Sequence, residues 1–490
     1  MTTLAAMLRN LQRSSVDAVK AHSPPPKGNS VSELAVLTEI GLERQDELFA
    51  YLKAQASAVR PGLVQSDFAP RPSLYQEVWW HLTAGRIGGV PYARVPITID
   101  LGATDVPMAI RAIRAVLERH RVLRTAFSIR DGRLAVEICS TEDVEIFVSS
   151  ADSDDAMLAR ILREQDKTPS ISGRPPAGIH LVTHKGRMVG SLVFHHAIVD
   201  HMSTLVLKAE IIQQLKGHTS SFDENTKRLD FYDWAAWERS WFESESGKRV
   251  CDYWSGWRER VPNLCSPTGR ELDWLCVTRR RHPIHLNAAF VQRILQRASQ
   301  LGTTPFVIVL SAYVIALRFW SGKSHFALRA VGNSRVGPLL TGVGLFMCHD
   351  LIEVDLRGLI FLDDVINAMC AEYRASVALR IPTHMTGSRV GYDTLHPTIG
   401  ASINFIPGNL RMAWATPAQE PEISLPEPDE APTDSQVAQP TIILELLGRG
   451  GQLSGTLAFN DRIVGYDEQR HMVHLFGKAM WSILDANGKI

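Results

Sequence analysis

Phe194-His195-His196-Ala197-Ile198-Val199-Asp200-His201 is the stretch on which the reading of this chain turns. An apolar, strand-like run from Met188 to Phe194 leads into it, and Met202 to Leu215 follows with the character of a helix. Along a strand successive side chains face opposite ways, so the two histidines cannot both enter one pocket. One imidazole is therefore expected to be packed inside, and the other to be presented at the strand end. A neutral imidazole there could take a proton from an attacking amine or hydroxyl near neutral pH. Asp200 is placed to shape the holding loop, through an ion pair with a distant residue or through backbone hydrogen bonds. Taken alone, the motif leaves three chemistries open: a general base, a pair of core histidines, or a metal site using His195, His196, Asp200 and His201. Adjacent histidines ligate one ion poorly, and no Cys or Glu cluster supports them.

Outward from the motif, strand and helix patterns alternate from about Leu74. RVPITIDL (Arg94 to Leu101) reads as a strand and Val106 to His120 as an amphipathic helix. Short strands are expected at Thr125 to Ile129, Leu134 to Ile138 and Val144 to Val148, with a hairpin turn at Asp131-Gly132. A helix follows at Asp152 to Glu164, then a strand pair at Gly178 to Thr183 and Arg187 to Phe194. The second half repeats the mixture. Helices are expected at Asn287 to Leu301, Pro305 to Trp320 and Phe361 to Leu379, strands at His325 to Val331 and near Ile403, and a closing strand–strand–helix over Ile442 to Leu484. That order predicts an α/β fold of two lobes, each a mixed sheet covered by helices. Thr416 to Pro440 stands apart, with six prolines, six acidic residues and no Lys or Arg, and reads as an extended, mobile loop.

Bulk properties narrow the function classes. The chain has 490 residues, 45% hydrophobic and 21% charged, enough for two ordinary domains and too apolar for disorder. Lys plus Arg and Asp plus Glu both number 52, so no basic excess suggests a nucleic-acid binder. No apolar run reaches the roughly 18 residues of a membrane span. The cysteines at 139, 251, 265, 276, 348 and 370 form no Cys-x-x-Cys pair, which argues against a zinc or disulfide scaffold and suits a reducing, cytoplasmic setting. Residues 1–70 read as a helical extension interrupted by the stiff Pro24-Pro25-Pro26, without the uninterrupted apolar core of a secretory signal.

His-His-x-x-x-Asp after a strand resembles the condensation domains of nonribosomal peptide synthetases, in the superfamily of chloramphenicol acetyltransferase. Other stretches match that family in order. Ser73-Leu74-Tyr75-Gln76-Glu77-Val78-Trp79-Trp80 is similar to its opening segment, and Arg119 to Phe127 (RHRVLRTAF) to its Arg-His-x-x-Leu-Arg-Thr-x-Phe. Asp230 to Arg239, Gly332-Asn333-Ser334-Arg335, Val343 to Met347 and Gly451 to Phe459 follow, so the resemblance covers about Leu74 to Leu484. It implies two acetyltransferase-like lobes, residues 71–245 and 246–490, in a V-shaped pseudo-dimer with a central tunnel. It implies a monomeric condensing enzyme that moves an acyl or aminoacyl group from a carrier protein's phosphopantetheine thioester to an amine, or less often a hydroxyl. No bound cofactor or metal is implied. His196 inherits the reaction centre, His195 a structural place, and Asp200 an ion pair supporting the loop, with Arg335 as first candidate partner and Arg124 as second.

Two departures qualify this. The family's Gly after Asp200 is His201 here, a side chain that would narrow or modify the tunnel. Cys348-His349-Asp350 also stands where Asn-Thr is common, and Cys348 reads as an ordinary buried thiol. No adenylation phosphate loop or carrier attachment serine is seen, which suggests a free-standing enzyme acting in trans. The rivals are a coenzyme A-dependent acyltransferase of the same superfamily and a catalytically silent module that recruits carrier proteins.

Overall fold

The computed structural model describes residues 69–83, 93–217, 229–270, 272, 274–335, 337–379, 399–408, 410–415, 420–428, 433–484 and 488–489. The extension expected over residues 1–70 lies outside them except for its last two residues. The described chain groups into two compact units. One holds residues up to Ser244 together with the detached segment Ser334–Met347, and the other holds Glu245–Asn333 with the chain from Cys348 onward.

The first unit is built from α1 (Leu74–Thr83), β1 (Arg94–Gly102), α2 (Val106–Arg119), β2 (Thr125–Arg130), β3 (Arg133–Ile138), β4 (Ile146–Ser150), α3 (Asp154–Gln165), β5 (Ala177–His184), β6 (Arg187–His195), α4 (His201–Leu215) and α5 (Phe231–Glu243). Its main sheet runs β1-β6-β5-β4, antiparallel except for the parallel pair β4–β5. β6 is central and buried from Met188 to His195, which is why it reads as an unbroken apolar run. The Asp131-Gly132 turn carries positive φ at both residues (52° and 71°), the primed geometry that suits the β2–β3 hairpin twist. Lys185-Gly186 does the same between β5 and β6. On α2 the Asp105 side chain caps the Met108 N–H at 2.7 Å, and Ala109, Ala112, Ile113, Val116 and Leu117 form the buried stripe.

The second unit comprises α6 (Glu245–Arg260), β7 (Trp274–Leu286), α7 (Ala288–Gln300), α8 (Pro305–Ser321), β8 (His325–Asn333), β9 (Met347–Asp355), α9 (Leu362–Ala378), β10 (Ala401–Ile406), β11 (Ile423–Ser424), β12 (Thr433–Pro440), β13 (Ile442–Arg449), β14 (Gln452–Asn460) and α10 (Tyr466–Ser482). Its sheet runs β11-β7-β14-β13-β10-β8-β9, with β12 also on β7. α8 is apolar all round because it is buried all round; Thr304 caps it, Pro305 opens it, and Gly322 at φ 70° closes it. Its side chains join Phe326, Leu328, Ile403, Leu444, Leu457, Phe476 and Met480 in one core. Both units are thus mixed α/β, as the alternation predicted. No single described helix is long and apolar enough to cross a membrane.

Thr416 to Pro440 needs correction. Within it β11 and β12 pair antiparallel with β7, Ile423 opposite Leu286 and Pro440 opposite Trp274. Proline suits an edge strand, because its missing N–H withdraws a donor only where the ladder has few bonds to lose. The composition signalled extension correctly, but not the strand partner.

Candidate active site

The His-His-x-x-x-Asp loop lies in the first unit, where β6 ends and α4 begins. His195 is the last residue of β6, opposite Arg94 of β1, and is 1% exposed. The Ala197 N–H donates to its Nδ1 at 3.0 Å, so the ring proton must sit on Nε2. Burial, and secondarily the neighbouring His196, push its pKa down to about 3. His195 is therefore a neutral imidazole bonded within the loop.

His196 turns the other way. Its N–H donates to the Ala93 carbonyl at 2.6 Å, and its ring stacks on the Trp79 indole at 4.9 Å and 14°. Trp79 meets the His195 ring edge-on at 6.0 Å. One indole from α1 therefore fixes both histidines. The His196 Nδ1 is buried and makes no well-formed hydrogen bond among the described residues. Burial lowers its pKa, against the opposing pull of backbone carbonyls at 196 and 199 and of the Asp200 carboxylate. With Nδ1 sealed from outside, a proton from an incoming group would have to arrive at Nε2 of this neutral ring.

Asp200 is the N-cap of α4. Its carboxylate accepts from the Ser203 N–H and hydroxyl, both at 2.9 Å, and from the Phe346 N–H at 3.0 Å. Arg335 completes the set as a fork, Nη1 to Oδ2 at 2.6 Å and Nη2 to Oδ1 at 2.7 Å. Burial is the largest influence on this carboxyl and would raise its pKa; Arg335 and the Ser203 donors together outweigh it and hold Asp200 below the usual carboxylate range. Arg335 also donates Nε to the Gly342 carbonyl at 3.0 Å and lies over the Phe346 ring at 4.5 Å. Ser203 in turn accepts from the Gly344 N–H at 3.0 Å. The segment Ser334–Met347 is thereby tied to the loop through one buried carboxylate.

Arg124, the second candidate, does not reach Asp200. It donates to the carbonyls of Leu117 at 2.9 Å, Glu118 at 3.2 Å and Cys139, so its fork closes the end of α2 and anchors the chain after β3. Local carbonyls, already facing it, take the donors a distant carboxylate would need. His201 is exposed at the first position of α4. Cys348 and His349 are buried neighbours on β9, and alternation turns them to opposite faces of the strand, which excludes a thiol–imidazole pair. No group of three or more metal-ligating side chains comes together among the described residues, the His195, His196, Asp200, His201 set included.

Several supporting residues carried no individual role in the sequence. Ser73 and Gln76 bond reciprocally, Gln76 N–H to Ser73 Oγ at 3.1 Å and Ser73 N–H to Gln76 Oε1 at 2.9 Å, which starts α1 and aims Trp79. The remaining Gln76 amide donates to the Ala197 carbonyl at 2.9 Å, inside the His loop. The Ser-x-x-Gln spacing was the legible signal for the cap, but not for the bond to Ala197. Gly344 is a second case: a Cβ there would run into the Phe231 ring of α5.

With this geometry in place the comparisons have a clear sense. Residues 101–377 match the profile of the condensation domain family. The chain belongs to that family. Condensation domains are acyltransferases that work on carrier-tethered substrates in nonribosomal peptide and polyketide synthetases, although some members are inactive. Tyrocidine synthase 3 of Brevibacillus parabrevis is 27% identical over 276 residues, 55% of this chain and 4% of that one. Gramicidin S synthase 2 of Aneurinibacillus migulanus is 24% identical over 351 residues, covering 65% and 8%. This condensation domain chain thus spans less than a tenth of those synthetases. Among solved structures, the condensation domain that mediates chain release from the enacyloxin polyketide synthase is 27% identical with a TM-score of 0.76, covering 98% of this chain and 96% of that one. The X-domain in complex with OxyB from teicoplanin biosynthesis shares the fold at a TM-score of 0.68 and 15% identity, covering 88% and 98%.

Proposed function

We propose that this condensation domain transfers an acyl or aminoacyl group from the phosphopantetheine thioester of a carrier protein to an amine, or to a hydroxyl. In the step, the acceptor nitrogen forms a bond to the thioester carbonyl carbon and the carbon–sulfur bond breaks. The proton released by nitrogen passes through His196 to the departing thiolate, so an amide and a free thiol result. The observation that carries this reading is the neutral His196 ring, pinned by Trp79 and by its own backbone at the end of β6. His195 and Asp200 orient it: the first fixes the loop from inside, and the second joins the loop to Arg335.

The test is product formation by purified protein with an acyl-carrier thioester and, separately, the same acyl group on coenzyme A, each with an amine acceptor. Amide from the carrier donor is expected, and its loss by about two to four orders of magnitude in His196→Ala with an unchanged circular dichroism spectrum. Product from coenzyme A alone would move the protein to the free-thioester acyltransferases. Unchanged product in His196→Ala would remove the catalytic assignment, and no product from either donor would favour a recruiting module.

A further inference from the structure

The indole that stacks on His196 belongs to a helix that α5 holds in place. α1 meets the His loop twice, through Trp79 on the His196 ring at 4.9 Å and through the Gln76 amide on the Ala197 carbonyl at 2.9 Å. The Ser73–Gln76 cap lies within α1 and its own N-terminal residue. The bonds that place the helix against its neighbour come instead from two adjacent residues of α5. Glu238 Oε2 accepts from the Leu74 N–H at 3.1 Å. Arg239 donates Nε and Nη2 to the Pro72 carbonyl at 2.8 and 2.6 Å and pairs with Glu77.

Glu238 is the unusual member of this pair. It is 5% exposed, at a place where a neutral amide would accept the same N–H without the desolvation cost of a carboxylate. Burial raises its pKa to about 7; Glu77 of α1 adds to the rise, while the Leu74 N–H and Arg239 oppose it. Lifting the first turn of α1 away would return the carboxyl to water and to its ordinary value of 4.5. The docked form therefore binds more protons between pH 4.5 and 7, so docking is firmest below that window and weakens as pH rises through it. Across the whole window the docking equilibrium shifts by about 300-fold.

We propose that Glu238 is a positioning residue: by holding the first turn of α1 against α5 it keeps the Trp79 indole on the His196 ring, and losing that hold slows acyl transfer. The effect on transfer rests on the function proposed above; the hold on α1 does not.

Two measurements on the whole protein, from pH 5 to 8, test the two halves separately. Hydrogen exchange of the segment Leu74–Thr83, corrected for the intrinsic pH dependence of exchange, reads the hold on α1 without turnover. Glu238→Gln keeps an acceptor for the Leu74 N–H but cannot ionise. At pH 8 the wild-type segment should exchange at least about tenfold faster than that of Glu238→Gln, and at pH 5 the two should match. Glu238→Ala removes the acceptor and should exchange faster than both at every pH. Transfer from an acyl-carrier thioester to an amine reads the positioning. Glu238→Ala should lower kcat by about tenfold with KM little changed, and Glu238→Gln should restore it and outpace wild type increasingly as pH rises to 8. Exchange of the segment that is the same in wild type and Glu238→Gln at all pH values would overturn the hold on α1. Wild-type kcat in Glu238→Ala, despite faster exchange, would overturn the positioning. If Glu238→Ala does not fold, the comparison of Glu238→Gln with wild type decides both. No transfer by wild type at any pH would remove the transfer reading and the positioning with it, while the exchange data alone would still decide the hold on α1.

Discussion

Asp200 and Arg335 are both nearly inaccessible, and each satisfies the other's charge. A buried pair of this kind is easily broken and hard to replace, because losing one member strands the other in a poor solvent. Arg335→Ala and Asp200→Ala should each lower unfolding stability by about 3–5 kcal/mol, measured by urea titration. The double variant should cost clearly less than the sum, since no stranded charge remains. Simple additivity would show that the two do not act as a unit. At the same scale, Arg335 was legible in the sequence only as a candidate beside Arg124. What separates them is not residue type but what lies within reach: carbonyls of α2 for one, a lone carboxylate for the other.

At the scale of elements, the site depends on how α1 begins and how the segment Ser334–Met347 passes α5. The Ser73–Gln76 cap uses two otherwise unpaired groups at a helix start, and Gln76 adds the bond to the His loop. Ser73→Ala should cost about 0.5–2 kcal/mol of stability and leave the transfer reaction nearly intact. Gln76→Ala should cost a similar amount yet also slow the reaction, because the Ala197 carbonyl loses its donor. A reaction rate equally unaffected by both would show that the Gln76 bond does not position the loop. Gly344→Ala must push aside the Phe231 ring, a rigid neighbour, and should lower thermal stability; Phe231→Leu in that background should restore part of it. If the second substitution restores nothing, the close approach is not what requires glycine.

For the molecule as a whole, buried histidines and a buried glutamate shape the pH response in opposite directions. His195 has a folded pKa near 3 against 6.5 in the unfolded chain, so the unfolded state binds more protons between those values. Its contribution to stability is complete above about pH 6.5 and is lost as pH falls. Glu238 of α5, buried where it accepts the Leu74 N–H, is raised to about 7 from 4.5, chiefly by burial. Its folded form holds a proton that the unfolded form has lost, so stability is lost as pH rises from 4.5 through 7. The two slopes offset one another between about pH 4.5 and 6.5. Burial lowers the His196 pKa as well and so adds a slope of the same sign as His195. Wild-type stability should therefore rise only gently with pH there, whereas Glu238→Gln should rise more steeply over the same range and exceed wild type at pH 8 by on the order of 2 kcal/mol. Chemical denaturation at half-unit pH steps reads this directly. Parallel curves for the two proteins would mean that Glu238 keeps an ordinary pKa.

What the sequence determined by itself was short in range. The apolar run of β6, the His-His-x-x-x-Asp loop, the stripe of α2, the Asp131-Gly132 turn and the alternation of strand with helix are all spacings of a few residues, and such spacings are what backbone geometry imprints on a chain. Together they carried the mixed α/β fold and the family. The tertiary structure decided the pairings that no spacing records. It chose Arg335 for Asp200 across 135 positions, set Trp79 against both histidines, and gave the acidic, proline-rich stretch a partner in β7. Each of these depends on where distant segments come to lie, and burial then turns an ordinary side chain into a neutral imidazole or half of a fixed ion pair.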